Sequence, residues 1–332
     1  MGDGRSGGDR SARRPLVAIA VCTYRRREPL AQTLAGLARL TFRAASQPDL
    51  RVIVADNEGD PRIGDVVAAF AARSGFRADC IIEPRRGIAH ARNACLDAVP
   101  DTADFLAFID DDEIPAAHWL DALLATQRAS DAAVVCGPVL PDFERTPPRW
   151  VTDGGFFRQP RRPAGGRETP ADGDEVPDAG TGNVLIRMAD VRQIGLRFDE
   201  AFGLTGGEDA LFFRRLRAAG GKIVWSPQAR VTERVPSARA GFRYLAREYF
   251  RCGNVRATID ALDARDRGRS GARSALGGAK KALRKLLVHA ALLVAAAAFG
   301  RGRARVYGHA FELANAVGRL SGLFGFRYEH YR

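Results

Sequence analysis

Phe105-Leu106-Ala107-Phe108-Ile109-Asp110-Asp111-Asp112 decides how this chain is read. An apolar run of strand length leads straight into three carboxylates, so like charges collect at the carboxyl end of a buried element. Two environments can hold such a triplet. One is the first turn of a helix, where acids favour the dipole; Glu113, Pro115 and the pattern Trp119-Leu120-Leu123-Leu124 suit it. The other is a divalent cation, which prefers hard oxygen ligands and bridges them to phosphate. Taken alone, the triplet leaves both open.

Outward from it, short apolar runs at 16–22, 50–55, 79–82, 105–109 and 133–139 alternate with helical patterns near 29–40, 61–72, 87–99 and 116–129. That alternation predicts an α/β fold, a mainly parallel sheet flanked by helices. Ligands of such sheets bind beyond the carboxyl ends of the strands. Thr23-Tyr24, Asp56-Asn57 and the triplet all fall there. No GxGxxG follows the first strand, which argues against a dinucleotide site. Between 138 and 178 the chain turns to Pro, Gly, Arg and aromatic residues, a long irregular segment of the functional kind. Order returns at Gly180-Thr181-Gly182-Asn183-Val184-Leu185-Ile186. It continues through Phe202-Gly203-Leu204-Thr205-Gly206-Gly207-Glu208-Asp209, a helix through Leu211, Phe212 and Leu216, and a strand at 222–225. Read singly, Glu208-Asp209 also fits plain N-terminal capping.

With 332 residues and 46% hydrophobic content, the chain can bury one large core, or a core with a smaller appended region. Its five cysteines form no CxxC pair and have no histidine at ligand spacing, so neither a disulfide framework nor a zinc site is expected, and a reducing cytoplasm is. Residues 1–15 lack an apolar segment and are expected to be a disordered tail. The net charge of +12 is local: 234–332 hold 20 basic and 6 acidic residues, the remainder 31 and 33. No RRM, zinc-finger or helix-turn-helix pattern accompanies these charges, which argues against nucleic acid. Arg239, Arg243, Arg247 and Arg251 recur opposite Phe242, Leu245, Ala246 and Tyr249, as on an amphipathic helix whose basic stripe is solvated or clasps a diphosphate. Residues 286–299 are apolar apart from His289, yet shorter than the roughly 20 needed to span a bilayer. Lys280, Lys281, Arg284, Lys285, Arg301, Arg303 and Arg305 flank them, and Val306, Ala310, Leu313, Val317 and Leu320 make a further stripe. The expectation is a helical region, 234–332, lying on an anionic membrane surface; packing onto the preceding domain (16–233) or a dimer interface is the alternative.

Several motifs occur in a fixed order over residues 16–225: Val17-Ala18-Ile19-Ala20-Val21-Cys22-Thr23-Tyr24-Arg25, Val52-Ile53-Val54-Ala55-Asp56-Asn57, Gly87-Ile88-Ala89-His90-Ala91-Arg92-Asn93, the triplet, Gly180 to Asn183, and Glu208-Asp209. This series resembles the family 2 glycosyltransferases, which have a GT-A fold. The stretch from Phe105 to Glu113, Thr205-Gly206-Gly207-Glu208-Asp209 and Leu320-Ser321-Gly322-Leu323-Phe324-Gly325 are similar to glucosyltransferases of succinoglycan-type exopolysaccharides. The resemblance implies inverting transfer of a hexose, glucose from UDP-glucose, to a polyprenyl-diphosphate-linked oligosaccharide, and the basic C-terminal region adds the expectation that this occurs on the inner face of the cell membrane. It implies that Thr23 and Tyr24 line the base pocket, Asp56 accepts from base or ribose, and Arg92 orients the donor. Asp110 would approach the ribose and, with Asp112, the Mn²⁺ or Mg²⁺, aided by Asp111. Asp209 would be the general base and Glu208 its support or an acceptor contact. Processive relatives carry Gln-x-x-Arg-Trp where this chain reads Arg247-Glu248-Tyr249-Phe250-Arg251, so single transfer is expected. A sugar-nucleotide nucleotidyltransferase would want glycines that Cys22-Thr23-Tyr24-Arg25 does not supply. A vestigial surface-binding protein would not need the acids at both key positions.

Overall fold

The computed structural model describes residues 13–44, 47–157 and 169–329, so the tail expected at 1–15 falls, up to residue 12, outside the described residues. In chain order the first half comprises β1 (Leu16–Thr23), α1 (Arg27–Leu37), β2 (Asp49–Asp56), α2 (Pro61–Ser74), β3 (Arg77–Ile82), α3 (Ile88–Ala98), β4 (Phe105–Ile109), β5 (Glu113–Pro115), α4 (Trp119–Ser130), β6 (Val134–Cys136), β7 (Val139–Phe143) and α5 (Arg149–Asp153). The second half comprises β8 (Asn183–Arg187), α6 (Met188–Ile194), α7 (Glu208–Ala218), β9 (Ile223–Trp225), β10 (Val231–Val235), α8 (Phe242–Asp266), α9 (Gly271–Ala298) and α10 (Arg303–Leu323).

A seven-stranded sheet runs β3-β2-β1-β4-β8-β6-β9. Only β8 is antiparallel to its neighbours β4 and β6. Val17 to Val21 are wholly buried, as unbroken apolar strands are when helices cover both faces. Phe108, Phe198, Phe212 and Phe213 pack on one side, and Trp119, Phe70 and Leu120 on the other. The register pairs Thr23 with Asp56 and Ala20 with Phe108, so the ends of β1, β2 and β4 open at one level.

The run at 133–139, expected as one strand, is two. Gly137 and Pro138 interrupt it: proline offers no amide to a ladder, and a Cβ on Gly137 would lie 2.1 Å from the Ala229 carbonyl. Past the break the chain enters a second sheet, β5-β10-β7. There Glu113 and Glu233 stand opposite each other on adjacent antiparallel strands.

The expected basic stripe is also divided. Arg239 lies in a 3-10 turn, Ser237–Ala240, and an extended Gly241 separates it from α8. The last three helices pack on one another. Along α8 and α10 the backbones touch: a Cβ on Gly318 would fall 2.0 Å from the Phe250 carbonyl oxygen, and one on Gly253 would fall 1.9 Å from that of Asn315. The contact face of α10 carries Phe311, Asn315 and Gly318, and it leaves Val317, a member of the apolar stripe Val306, Ala310, Leu313, Val317 and Leu320, half exposed. Small residues at the seam let the helices approach closely, and hydropathy alone does not register them. Trp150, Phe156 and Phe311 form an aromatic cluster that joins α10 to α5.

Alanine normally replaces a mid-helix glycine with a gain of about 1 kcal/mol. At Gly318 the sign should invert, with a loss of about 1–3 kcal/mol from overpacking. Gly277→Ala in α9, where a Cβ would meet nothing within 4 Å, should keep the ordinary gain. Urea unfolding of both variants checks this; equal stabilities would contradict the close seam.

Candidate active site

β1, β2 and β4 deliver Thr23, Asn57 and the triplet to a cleft of about 250 Å³, also lined by Tyr24, Arg26, Arg86, Arg92, Glu233, Arg239 and Tyr244. The Thr23 hydroxyl donates to Asp111 Oδ2 at 2.7 Å. Thr33 in α1 donates to the carbonyls of Asp111 and Glu113 at 3.0 and 2.7 Å, and the Asp110 amide donates to Glu113 Oε2 at 3.0 Å. The acidic turn is therefore fixed through its backbone as well as its side chains. It is followed by β5, not by a helix, so the helix-terminus reading of the triplet does not hold.

Three guanidinium groups reach into this negative cluster. Arg26 Nη1 bridges Asp111 Oδ1 at 3.1 Å and Asp112 Oδ2 at 2.7 Å. Arg239 Nη1 lies 3.7 Å from the same Asp112 oxygen and 3.2 Å from Glu233 Oε1. Arg92 Nη2 lies 3.5 Å from Asp110 Oδ1, while its Nη1 pairs with buried Glu208. Arg25 has the left-handed φ of 58°, rare for a non-glycine, and pairs outward with Glu58 at 2.8 Å; the next residue, Arg26, faces the acids.

The compensation is incomplete. Burial pushes Asp111 up to about 7, with Asp112 and Asp110 adding repulsion and Arg26 and Thr23 opposing it. Burial likewise pushes Glu233 up to about 7, against Arg239. Glu113 is held well above the usual carboxylate range by burial and by Asp110. Asp110, with 46% of its side chain still exposed to the cleft, is raised by partial desolvation and by its neighbours Asp112 and Asp209, with Arg92 opposing.

Asp209 thus shares the electrostatic neighbourhood of the triplet. It opens α7 behind Gly207, whose φ of 99° turns the chain into the helix; a Cβ there would strike Val255 at 2.2 Å. A Cβ on Gly180 would lie 3.7 Å from Asp209 Oδ2, which brings the Gly180 to Asn183 loop to the same place. Asn183 is held by its own bonds, accepting from Trp119 Nε1 at 2.7 Å and donating to the Pro138 and Ala229 carbonyls at 3.0 and 2.6 Å.

Residues 18–195 match the family described as Glycosyl transferase family 2. The chain is 37% identical over 311 residues to the succinoglycan biosynthesis protein ExoM of Rhizobium meliloti (strain 1021), covering 94% of each. The chain belongs to glycosyl transferase family 2. A more distant relative, 25% identical over 74% of this chain and 78% of its own, is a glucosyl-dolichyl phosphate glucuronosyltransferase of Haloferax volcanii. A mannosyltransferase of Pyrobaculum calidifontis, solved with GDP-Man and Mn²⁺, superposes with a TM-score of 0.61. It covers 93% of this chain and 88% of that one at 18% identity, which bears on the fold alone. That fold is GT-A, as the motifs imply.

Within this family 2 enzyme, Thr23, Tyr24, Arg92, Asp110, Asp111 and Asp112 line one cleft, while Asp56 is set apart from it. Asp56 is buried and accepts from the Glu58 amide at 2.9 Å, so its neighbour Asn57 lines the cleft instead. Tyr24 lies between the guanidiniums of Arg25 and Arg86, each 5.1 Å from the ring centroid. Glu208 is fully buried against Arg92, and its Oε2 lacks a hydrogen-bond partner. Sequence reasoning passed over Arg26 and Glu233, whereas Arg239, one of the four arginines offered as a diphosphate clasp, does line the cleft. The signal for Arg26 was the basic run Arg25-Arg26-Arg27 directly after the first strand.

Among the described residues no three His, Cys, Asp or Glu side chains are grouped as a metal cage. None is required where one or two carboxylates hold the ion and phosphate and water oxygens complete its shell. Asp110 and Asp112, oxygen ligands at the open cleft with only arginines beside them, fit such an ion.

Proposed function

We propose that this enzyme is an inverting, non-processive hexosyltransferase acting in bacterial exopolysaccharide synthesis. The donor would be a nucleotide sugar, with UDP-glucose the first candidate, and the acceptor a polyprenyl-diphosphate-linked oligosaccharide. The likeness to ExoM along nearly the whole chain supports the pathway class. The observation that carries the mechanism is Arg92, which lies 3.5 Å from Asp110 in the cleft and pairs with Glu208, the residue beside Asp209 at the first turn of α7. In this reading the acidic turn serves the leaving group and Asp209 the incoming hydroxyl.

In this reading Tyr24 and Asn57 receive the base, and Arg92, locked by Glu208, orients the diphosphate. Arg26 and Arg239 supply fixed positive charge along its path. A divalent cation at Asp112 and Asp110 would neutralise charge developing on the departing diphosphate. Asp209 takes the proton from the acceptor hydroxyl as its oxygen bonds to the anomeric carbon and the carbon–diphosphate bond breaks on the opposite face. Glu208 is unsuited to that step, being buried and paired.

Asp209→Asn should lower transfer by at least about two orders of magnitude while donor binding persists, the usual scale of general-base loss. Product linkage analysis should show inversion; near wild-type transfer, or a retained anomer, would refute the assignment.

Metal dependence is tested separately. Chelator should stop release of nucleoside diphosphate, and Mn²⁺ or Mg²⁺ should restore it. Asp112→Ala should be inactive with an unchanged circular dichroism spectrum. Undiminished turnover in excess chelator would rule the cation out.

We further propose attachment to the inner face of the membrane through α9 and the turn into α10. Among the described residues no helix is long and apolar enough to cross a membrane. Yet α9 leaves Leu276, Leu283, Leu287 and Val294 exposed, Leu287 by 74%, and Phe299 is 75% exposed beside Arg301 and Arg303. An apolar stripe edged by cations suits an anionic interface. Vesicle sedimentation should rise with anionic lipid, fall with salt and drop in Leu287→Glu. Indifference to both lipid charge and this substitution would remove the proposal.

A further inference from the structure

A second basin lies where α7, α8, the turn between α8 and α9, and the start of α9 meet, with a volume of about 1150 Å³. It shares no lining residue with the donor cleft. Arg217 on its wall is eight residues beyond Asp209 on α7, roughly 12 Å along the helix. Eight of its lining residues are basic and three acidic.

The charges on its wall are not balanced. Asp260 serves three guanidiniums at once, those of Arg214 at 3.1 Å, Arg256 at 3.3 Å and Arg319 at 2.5 Å. Asp263 takes Arg267 at 3.0 Å. Beyond this network Arg269, Arg273 and Lys281 line the basin, and among the described residues none of the three pairs with a carboxylate. Arg319 Nε is buried and has no acceptor. The first turn of α9 also forms part of the wall, and the Ser270 side chain does not cap its amides. Unpaired cations and open helix-terminal amides on one wall together call for an anion with several acceptor oxygens.

We propose that this basin is a second anion site, taking a phosphate or diphosphate group, separate from the nucleotide-sugar cleft and independent of the transfer reaction. Multiple guanidinium groups match the oxygens of phosphate better than those of a lone carboxylate. The group can belong to a soluble phosphate or to a lipid headgroup, since the same helix α9 carries the exposed apolar stripe.

The test is calorimetric titration of the full chain with inorganic pyrophosphate in chelator. Wild type should bind. The triple variant Arg269→Gln/Arg273→Gln/Lys281→Gln should bind at least about tenfold more weakly, because each contact from an exposed, solvent-screened cation contributes a factor of roughly two to five. Arg273→Gln alone, at an exposed side chain that folding does not need, should weaken binding about fivefold and keeps the test open if the triple variant fails to fold. Arg26→Gln in the donor cleft should leave this binding in place. Flotation with phosphatidylcholine vesicles, with and without phosphatidic acid, identifies the source. Reduced capture of the triple variant by the phosphatidic acid vesicles assigns a headgroup; unchanged capture with weakened pyrophosphate binding assigns a soluble phosphate. No pyrophosphate binding by wild type, equal binding by wild type and the basin variants, or loss of binding in Arg26→Gln alone, overturns the proposal.

Discussion

The structure turns on repulsion between carboxylates at the end of β4. Asp110, Asp111 and Asp112 follow a buried strand, and the second sheet brings Glu113 and Glu233 to face each other beside them. Water reaches them only from the cleft side, where Asp110 keeps 46% of its side chain exposed, while Asp111 and Glu113 are buried, so solvent alone does not offset the charge. Arg26, Arg239 and Arg92 offset part of that charge, and each comes from a different element. Burial still holds several of the carboxyl groups well up their titration range. Acids left under-compensated and arginines beside them are the two charges that the proposed cation and phosphates would need.

The topology explains how the arginines arrive. The antiparallel β8 lies between β4 and β6 and places Asn183 under the break at Gly137-Pro138. That break frees β7 to pair with β10. Strand β10 then carries Glu233 to the acidic turn, and the 3-10 turn after it aims Arg239 back at Asp112. On the other side, α7 begins with Glu208 clamped on Arg92, so the residue beside it, Asp209, inherits a fixed position.

Much of this was legible in the sequence because it is local. Strands buried on both faces announce themselves as apolar runs, and β1, β2 and β4 fall where those runs lie. Thr23, Arg92 and the triplet were readable because they follow strands directly or open a helix. The small second sheet was not readable: β10 places Thr232, Glu233 and Arg234 in succession between two buried valines, so no apolar period marks it. Arg26 could not be distinguished from Arg25 and Arg27, since a left-handed backbone at Arg25, invisible in composition, decides which side chain turns inward. The seam of α8 and α10 escaped for a related reason. Its governing residues are glycines, which hydropathy patterns count as silence.

The bridge from Arg26 to both Asp111 and Asp112 has a consequence for how the cleft changes state. Arg26 is a counter-ion tethered to the chain, already seated where a mobile cation would come. On the proposed function, filling the cleft would be an exchange, in which the Arg26 guanidinium passes from carboxylate to phosphate. Such an exchange would favour metal and nucleotide arriving as one unit over a metal arriving first, since only the pair would give the displaced arginine a new partner.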